Sequence, residues 1–422
     1  MIRFFYSLLV YFLLPFTCFK LIYRGFRQPD YLKYWSERYG FYSTSTKQIW
    51  SKRKILWIHA VSVGETKAAI PFIKLFLKKY PRHYLLITHG TPTGRATSID
   101  VKDSRINRIY LPFDTPDATK RFLNTFKPEI GLLLETELWF NLIHQAFQKS
   151  IPLYLVNARL SEKSFQLYKR ISLLVKPSLQ ELKSVLAQTR SDAKRFEALG
   201  AKNVEVMGNL KFDVLPPRDT FKQSAALKKH LHLKHQLVLL IASSRQDEEE
   251  IILQRLLKLQ YKNLVTIFVP RHPQRFKEVE LMLKKYCVSF IKRSDKKIKN
   301  KSYQFILGDS MGEMYSYYNI ANIALMGGTI LPYGGQNLIE SMAMSVPVIL
   351  GPHTYNFYDV SNEAIRIGAG LRIQTLDELE KVLPHMLKPS SQLKMKKACE
   401  EMMHAHQGAT LQIVNKIKSM IL

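Results

Sequence analysis

Residues 55–66 read ILWIHAVSVGET. The run ILWIHAV (55–61) is short, apolar and aromatic, the pattern of a strand buried on both faces. A turn of small residues ending in Gly64 follows, and a helical pattern continues over roughly 65–80. This strand–turn–helix unit recurs. HYLLIT (83–88), the run at 106–110, EIGLLLE (129–135), PLYLVN (152–157), SVLAQ (184–188) and VEVMG (204–208) are further strand candidates between helical stretches. Alternation of this kind predicts an α/β fold with a parallel sheet covered on both sides. Residues 214–235 break the pattern with a Pro-Pro pair and a run rich in Lys and His, which reads as a connection holding one helix. The alternation restarts at 236–244 and continues at 264–270, 287–291, 303–307, 322–327 and 346–351. The expected organisation is therefore two Rossmann-like, doubly wound domains in tandem, 26–213 and 236–385. Residues 386–422 are expected to be helical and to return across the interface.

The 422 residues suffice for two or three domains, and 46% hydrophobic with 23% charged residues excludes a disordered or fibrous chain. Three cysteines far apart exclude a disulfide scaffold and a cysteine-rich zinc site. Sixty-three Lys and Arg against 34 Asp and Glu leave a net charge of +29, a field that attracts polyanions. A solvated lysine-rich surface is the plainer reading. Residues 4–23, FFYSLLVYFLLPFTCFKLIY, tilt the choice towards an anionic membrane surface and away from nucleic acid. The stretch is about long enough to cross a bilayer or to lie in one leaflet, though Pro15 and Lys20 interrupt it. No small-x-small cleavage site follows, which argues against a signal peptide. Arg24, Arg27, Lys33 and Arg38 lie just downstream, on the side that stays cytoplasmic. Residues 1–25 are thus expected to anchor the protein, the alternative being a helix buried against the globular part.

Ligands of open parallel sheets bind at the carboxyl ends of the strands, so two such sheets predict a site in the cleft between them. Glu65 follows the first strand and reads equally as a catalytic carboxylate or as a first-turn helix acid. Glu135 and Glu137 flank Thr136 after the fourth strand; Asn157, Arg159 and Ser161 follow the fifth, and Asn209 and Lys211 the last. In the second domain, Arg271 and His272 stand between Pro270 and Pro273, a stiff loop suited to phosphate. Met311, Gly312 and Glu313 form a turn into a helix that could receive a base or ribose. Gly327-Gly328 and Gly334-Gly335 precede Gln336 and Asn337, which are expected to open a helix carrying Glu340 on the same face as Asn337. Neither GxGxxG nor GxxxxGK[ST] is present, which weakens dehydrogenase and P-loop readings. Absence of HExxH and Asp-x-Asp argues against a dedicated metal site.

In order, HAVSVGE, ETELW, NARLS, GNLKFD, PRHPQRF, MGE, GGQNLIE and GPHTYNF make the chain resemble, over essentially its whole length, the 3-deoxy-manno-octulosonate (Kdo) transferases of Gram-negative bacteria. The resemblance implies a GT-B fold, CMP-Kdo as donor, a lipid A precursor as acceptor, no metal and no cofactor. It implies a location on the cytoplasmic face of the inner membrane and an inverting reaction. Carried over by position, Glu65 would be the general base, with Glu135 and Lys211 assisting. Pro270, Arg271 and His272, then Met311, Gly312 and Glu313, then Asn337, Leu338, Ile339 and Glu340 would hold CMP. Gln336 departs from the His expected there in many relatives, which touches donor contacts but not the reaction. The rival readings are another GT-B enzyme using a UDP-sugar on a lipid, and a membrane-docked nucleotide-binding scaffold without catalysis.

Overall fold

The computed structural model describes residues 2–259, 261, 263–298 and 302–421. The chain forms two compact units, Met1–Val214 with Gln407–Leu422, and Leu215–His406. In the first, β1 (Ile55–His59), β2 (Tyr84–His89), β3 (Ile106–Tyr110), β4 (Ile130–Leu134), β5 (Leu153–Ala158), β6 (Ser184–Ala187) and β7 (Val204–Val206) form one sheet. Its order is β3-β2-β1-β4-β5-β6-β7, and every pairing is parallel. β1 shows why the run 55–58 is apolar throughout. Leu56 and Ile58 pack with Phe72 and Phe76 of the helix Val63–Lys79 on one face. Ile55 and Trp57 pack with Phe122 and Phe126 of the helix Pro116–Phe126 on the other. Each such side chain contributes about 1.5–3 kcal/mol when fully buried. Strand order reverses between β1 and β4, which opens a crevice at their carboxyl ends.

The second unit repeats the scheme with β8 (Leu237–Ser244), β9 (Leu264–Pro270), β10 (Phe290–Lys292), β11 (Phe305–Leu307), β12 (Ile323–Met326), β13 (Val348–Leu350) and β14 (Gly370–Arg372). The order is β10-β11-β9-β8-β12-β13-β14, again parallel, with the reversal between β8 and β12. One local expectation fails here, and one strand goes unannounced. The run 287–291 becomes a strand only from Phe290, because Cys287 takes a left-handed conformation (φ 51°) just after the helix Phe276–Lys285. β14 is a three-residue strand with no apolar run to announce it.

The connection 214–235 holds the helix Thr220–His230, which belongs to the second unit. The C-terminal region divides. The helix Pro389–His406 stays with the second unit, whereas Ala409–Ile421 packs in the core of the first through Ile413, Val414 and Ile417. At the other end, residues Ile2–Arg27 form one 26-residue helix. It has the length and composition of a membrane span, yet it is docked on the first unit: Tyr6 donates to Asp114 Oδ2 (2.8 Å) and Ser7 to Asn141 Oδ1 (3.0 Å).

Candidate active site

The first unit brings Glu65, Glu135 and Lys211 to the crevice between β1 and β4. After β1 the chain turns into the helix Val63–Lys79, with Ser62 as N-cap. The Ser62 hydroxyl accepts the Glu65 N–H at 3.4 Å and donates to Glu65 Oε1 at 2.7 Å. The Val61 N–H donates to Oε2 at 2.7 Å. This is the S-x-x-E pattern of a capping box, so Glu65 is a first-turn acid and a crevice carboxylate at once. Each of its oxygens keeps a second lone pair, so these bonds orient the group and leave it able to take a proton. The side chain is 8% exposed. Burial raises its pKa above the ordinary value, and neighbouring Glu135 adds to this, while Ser62, Val61 and Lys211 oppose it.

β4 ends at Leu134, and Glu135 turns at once into the left-handed region (φ 59°). Strand alternation therefore stops before the two acids and does not set their direction. Glu135 is fixed instead by its N–H, which donates to Val156 O (3.0 Å), and by Lys211 Nζ, 3.0 Å from its Oε1. Lys211 rides on a short turn, Leu210–Asp213, braced by buried amides. Asn157 Oδ1 accepts the Leu210 N–H (3.0 Å), Gln188 Nε2 donates to Asn157 O (2.9 Å), and Asn209 Nδ2 donates to Gln188 Oε1 (3.0 Å). Arg159 contributes its carbonyl, which accepts from Thr136 Oγ1, and Ser161 caps the helix Glu162–Arg170. Glu137, absent from the expected set, is pushed up to about 7, first by burial and then by Glu65 and Glu135. His59, at the end of β1, is buried and held neutral, its pKa lowered to about 3.

The second unit gathers a cationic cradle at the ends of β8 and β9. The Arg271 N–H donates to Ser244 O (3.0 Å), which fixes the Pro270–His272 turn against the end of β8. Arg245 Nη1 lies 2.9 Å from His272 Nε2 and its guanidinium lies over the Tyr333 ring at 4.9 Å. His272 is depressed, first by burial and then by Arg245, Arg271 and Arg275, so it stays a neutral acceptor. Glu248 ties the glycine loop down. Its Oε2 accepts the N–H groups of Arg245 (3.0 Å) and Gly328 (2.6 Å), and its Oε1 those of Ile330 (3.1 Å) and Leu331 (3.3 Å). At Gly327 a Cβ would stand 2.2 Å from Ser243 O, so only glycine lets the loop lie so close to β8. Arg245 and Glu248 lie in SSRQDEE (243–249), and their only sequence signal is a charged stretch at a strand end.

One expectation is corrected. Gln336 and Asn337 do not open a helix: the helical turn runs only over Ile339–Met342. The Asn337 side chain takes the place of a helical carbonyl, its Oδ1 accepting the Ile339 N–H (3.3 Å) while its Nδ2 donates to Glu340 Oε1 (3.2 Å). Four helical residues make no useful dipole, so anion binding at that terminus falls away. Leu338 and Ile339 are 1% and 2% exposed, which leaves only their backbone for a ligand. Glu340 does lie near Tyr315 and Tyr318, whose hydroxyl pKa values it helps to raise. Met311 is exposed, Gly312 takes φ 81°, and Glu313 pairs with Arg293 through both oxygens (3.0 and 3.2 Å).

The family model described as 3-Deoxy-D-manno-octulosonic-acid transferase (kdotransferase) matches residues 33–214. A 3-deoxy-D-manno-octulosonic acid transferase of Haemophilus influenzae is 34% identical over 422 residues, covering 99% of this chain and 98% of that protein. The chain belongs to the Kdo transferase family. A Kdo transferase of Bordetella pertussis is 36% identical over 376 residues, with 86% of each chain covered. Among solved structures, a glycosyltransferase from Rickettsia africae aligns with TM-score 0.60 at 15% identity, over 88% of this chain and 99% of that one. The UDP-GlcNAc 2-epimerase of Neisseria meningitidis aligns with TM-score 0.60 at 16% identity, over 86% and 99%. Those two likenesses concern the fold, and it is GT-B. As a Kdo transferase the protein is a glycosyltransferase, which places the crevice acids and the cationic cradle in an enzyme.

Proposed function

We propose that this Kdo transferase moves Kdo from CMP-Kdo to a hydroxyl of the lipid A precursor, with inversion, using Glu65 as general base and no metal. The observation that carries the reading is a buried, oriented carboxylate at the β1–β4 crevice whose neighbours tune it from both sides. The acceptor oxygen attacks the anomeric carbon from the face opposite the phosphate. As the new C–O bond forms, the bond to the CMP oxygen breaks and the hydroxyl proton passes to Glu65. The raised pKa of Glu65 makes it a better proton acceptor than an ordinary carboxylate, while Lys211 keeps the ionised form accessible. Lys211, paired with Glu135, offsets negative charge near the donor carboxylate. Arg271 and Arg245 stabilise the departing phosphate; a placed donor of this kind is typically worth about 3–4 kcal/mol. Among the described residues no group of three or more His, Cys, Asp or Glu is arranged to hold a metal. The lipid acceptor and the apolar N-terminal helix together support a place on the cytoplasmic face of the inner membrane.

The test is a transfer assay with CMP-Kdo and purified lipid A precursor, read by mass spectrometry of the lipid. We expect mass increments of Kdo, and a loss of about 10²-fold or more with Glu65→Gln while CMP still binds. Turnover with UDP-sugars and none with CMP-Kdo would overturn the donor assignment. Equal rates for Glu65→Gln and wild type would remove Glu65 as the base.

A further inference from the structure

The helix Ile2–Arg27 carries two different stripes. Positions 3, 7, 10, 14, 17, 21 and 25 are buried or half-buried, a spacing of three and four that keeps one face against the protein for the whole length of the helix. Polar contacts fasten this face. Arg3 reaches His144 Nε2 (2.7 Å) and Glu181 (3.6 Å), Tyr6 reaches Asp114, Ser7 reaches Asn141, and Cys18 Sγ lies 2.6 Å from Tyr39 Oη. On the flank, the Tyr11 hydroxyl donates to Asp117 Oδ1 (2.6 Å). At the far end the chain folds back so tightly that a Cβ on Gly25 would stand 2.6 Å from Leu32. The opposite stripe is apolar and open. Phe5, Phe12, Phe19 and Phe26, seven residues apart, are all exposed, Phe26 by 84%, and Phe4, Leu8, Leu9 and Phe16 widen the row.

A helix of this length could cross a bilayer only by leaving the first unit. The move would strip partners from Asp114, Asn141 and Glu181 and carry Arg3, Tyr6, Ser7 and Tyr11 into or through hydrocarbon, where polar groups are costly. Lying flat keeps every one of these bonds and buries the phenylalanine row instead. Lys20 and Arg24 are exposed on the same helix and Lys33 just beyond it, placing positive charge at headgroup level.

We propose that the N-terminal helix is an in-plane element: it stays clamped to the first unit and inserts its phenylalanine face into one leaflet of an anionic membrane, without crossing it. This deepens the membrane location proposed above and rests on it. The occupant is a lipid leaflet, because the face combines a continuous aromatic row with flanking cations, a pattern that complements acyl chains beside anionic headgroups.

The test uses the full chain with Cys18→Ser and Cys287→Ser; Cys399 is fully buried. Nitroxide labels are placed singly at cysteines replacing Phe5, Phe12, Phe19 and Phe26, and their depth is read by power saturation in phosphatidylglycerol vesicles. A flat helix puts all four at one depth within about 5 Å. A spanning helix makes successive labels differ by about 10 Å, seven residues at about 1.5 Å each, and that staircase overturns the proposal while leaving membrane binding intact. A protease site added before Met1 gives a second reading: cleavage from outside the vesicles supports the flat helix, and protection rejects it. Phe12→Asp with Phe16→Asp should weaken binding at least tenfold with unchanged circular dichroism. Failure of the wild-type chain to bind anionic vesicles, or its pairing into a dimer through the same row, rejects the proposal together with the membrane location.

Discussion

Glu65, Glu135 and Glu137 share one crevice, and the structure gives each a different environment. Glu135 has Lys211 as a partner at 3.0 Å. Glu65 has two hydrogen-bond donors on its carboxylate, the Val61 N–H and the Ser62 hydroxyl. At Glu137 only Trp139 opposes burial and the two neighbouring acids, and its pKa rises to about 7. The sign follows from linkage. A carboxyl whose folded pKa lies above its unfolded value destabilises the protein when ionised, so the penalty is absent below about pH 4.5, grows between about 4.5 and 7, and is complete above. Glu137→Gln should therefore stabilise the protein at pH 8, by at most about 3 kcal/mol and by less once solvent screening is counted, and leave it nearly unchanged at pH 4.5. Chemical denaturation at the two pH values measures this; an equal gain at both would show that the Glu137 charge is not the cause. Glu65 gives a kinetic counterpart. Its base form is lost as pH falls through its raised pKa, so the acid limb of kcat/KM should lie above that of an ordinary glutamate. Lys211→Met removes a lowering influence and should move the limb to higher pH, whereas Glu135→Gln removes a raising one and should move it lower. Glu65, Glu135 and Lys211 are legible in the sequence because each stands at or within a few residues of the end of an apolar run. Glu137 follows the same run as Glu135, but its distinction is burial among like charges, which no local pattern records.

The β–α elements announce themselves through apolar runs: among the described residues, thirteen of fourteen strands lie on or next to such runs. What failed were short or interrupted elements. β14 is three residues long and begins with Gly370. The turn Ile339–Met342 never becomes the longer helix that Gln336 and Asn337 promised: it stops at Met342, and Ser345 just beyond takes a left-handed conformation (φ 52°). Equally hidden was Glu248, which acts on a loop about eighty residues away. It satisfies four backbone N–H groups that have no helix or strand partner, and it is fully buried. Glu248→Ala would leave those donors unmet at about 1–3 kcal/mol for a buried group. We expect the 327–336 loop to loosen, the stability of the second unit to drop by several kcal/mol, and CMP affinity to fall with it. Glu248→Gln keeps the shape and one acceptor oxygen, so it should recover part of both. Calorimetry with and without CMP separates the effects, and unchanged CMP affinity in Glu248→Ala would dissociate the loop from donor binding.

At the scale of the whole chain, the first unit is closed by residues almost two hundred positions beyond its own last strand. Asp213 Oδ1 accepts the Gly408 N–H (2.7 Å) and Oδ2 the Thr410 N–H (2.6 Å), which caps the helix Ala409–Ile421 from the turn that also carries Lys211. Ala409, Ile413, Val414 and Ile417 then complete the cluster formed by Ala69, Phe72, Ile73 and Phe76. Sequence periodicity marked 386–422 as helical, but it could not assign the two halves to different cores, because both are amphipathic and only the capping acid distinguishes them. A chain ending at His406 loses two Ile and one Val from that cluster. At about 1.5–3 kcal/mol for each large apolar side chain, the loss is on the order of 5–9 kcal/mol, comparable with the total stability of a typical domain. The truncated protein should unfold its first unit and lose transfer, while the second unit, whose boundaries end at His406, keeps its thermal transition and its CMP binding. Asp213→Ala removes only the cap and should cost about 1–2 kcal/mol, lowering the first-unit transition without abolishing it. Scanning calorimetry of the three proteins, with CMP added to mark the second transition, decides the matter: a truncated chain with both transitions intact would show that the last helix decorates the first unit and does not close it.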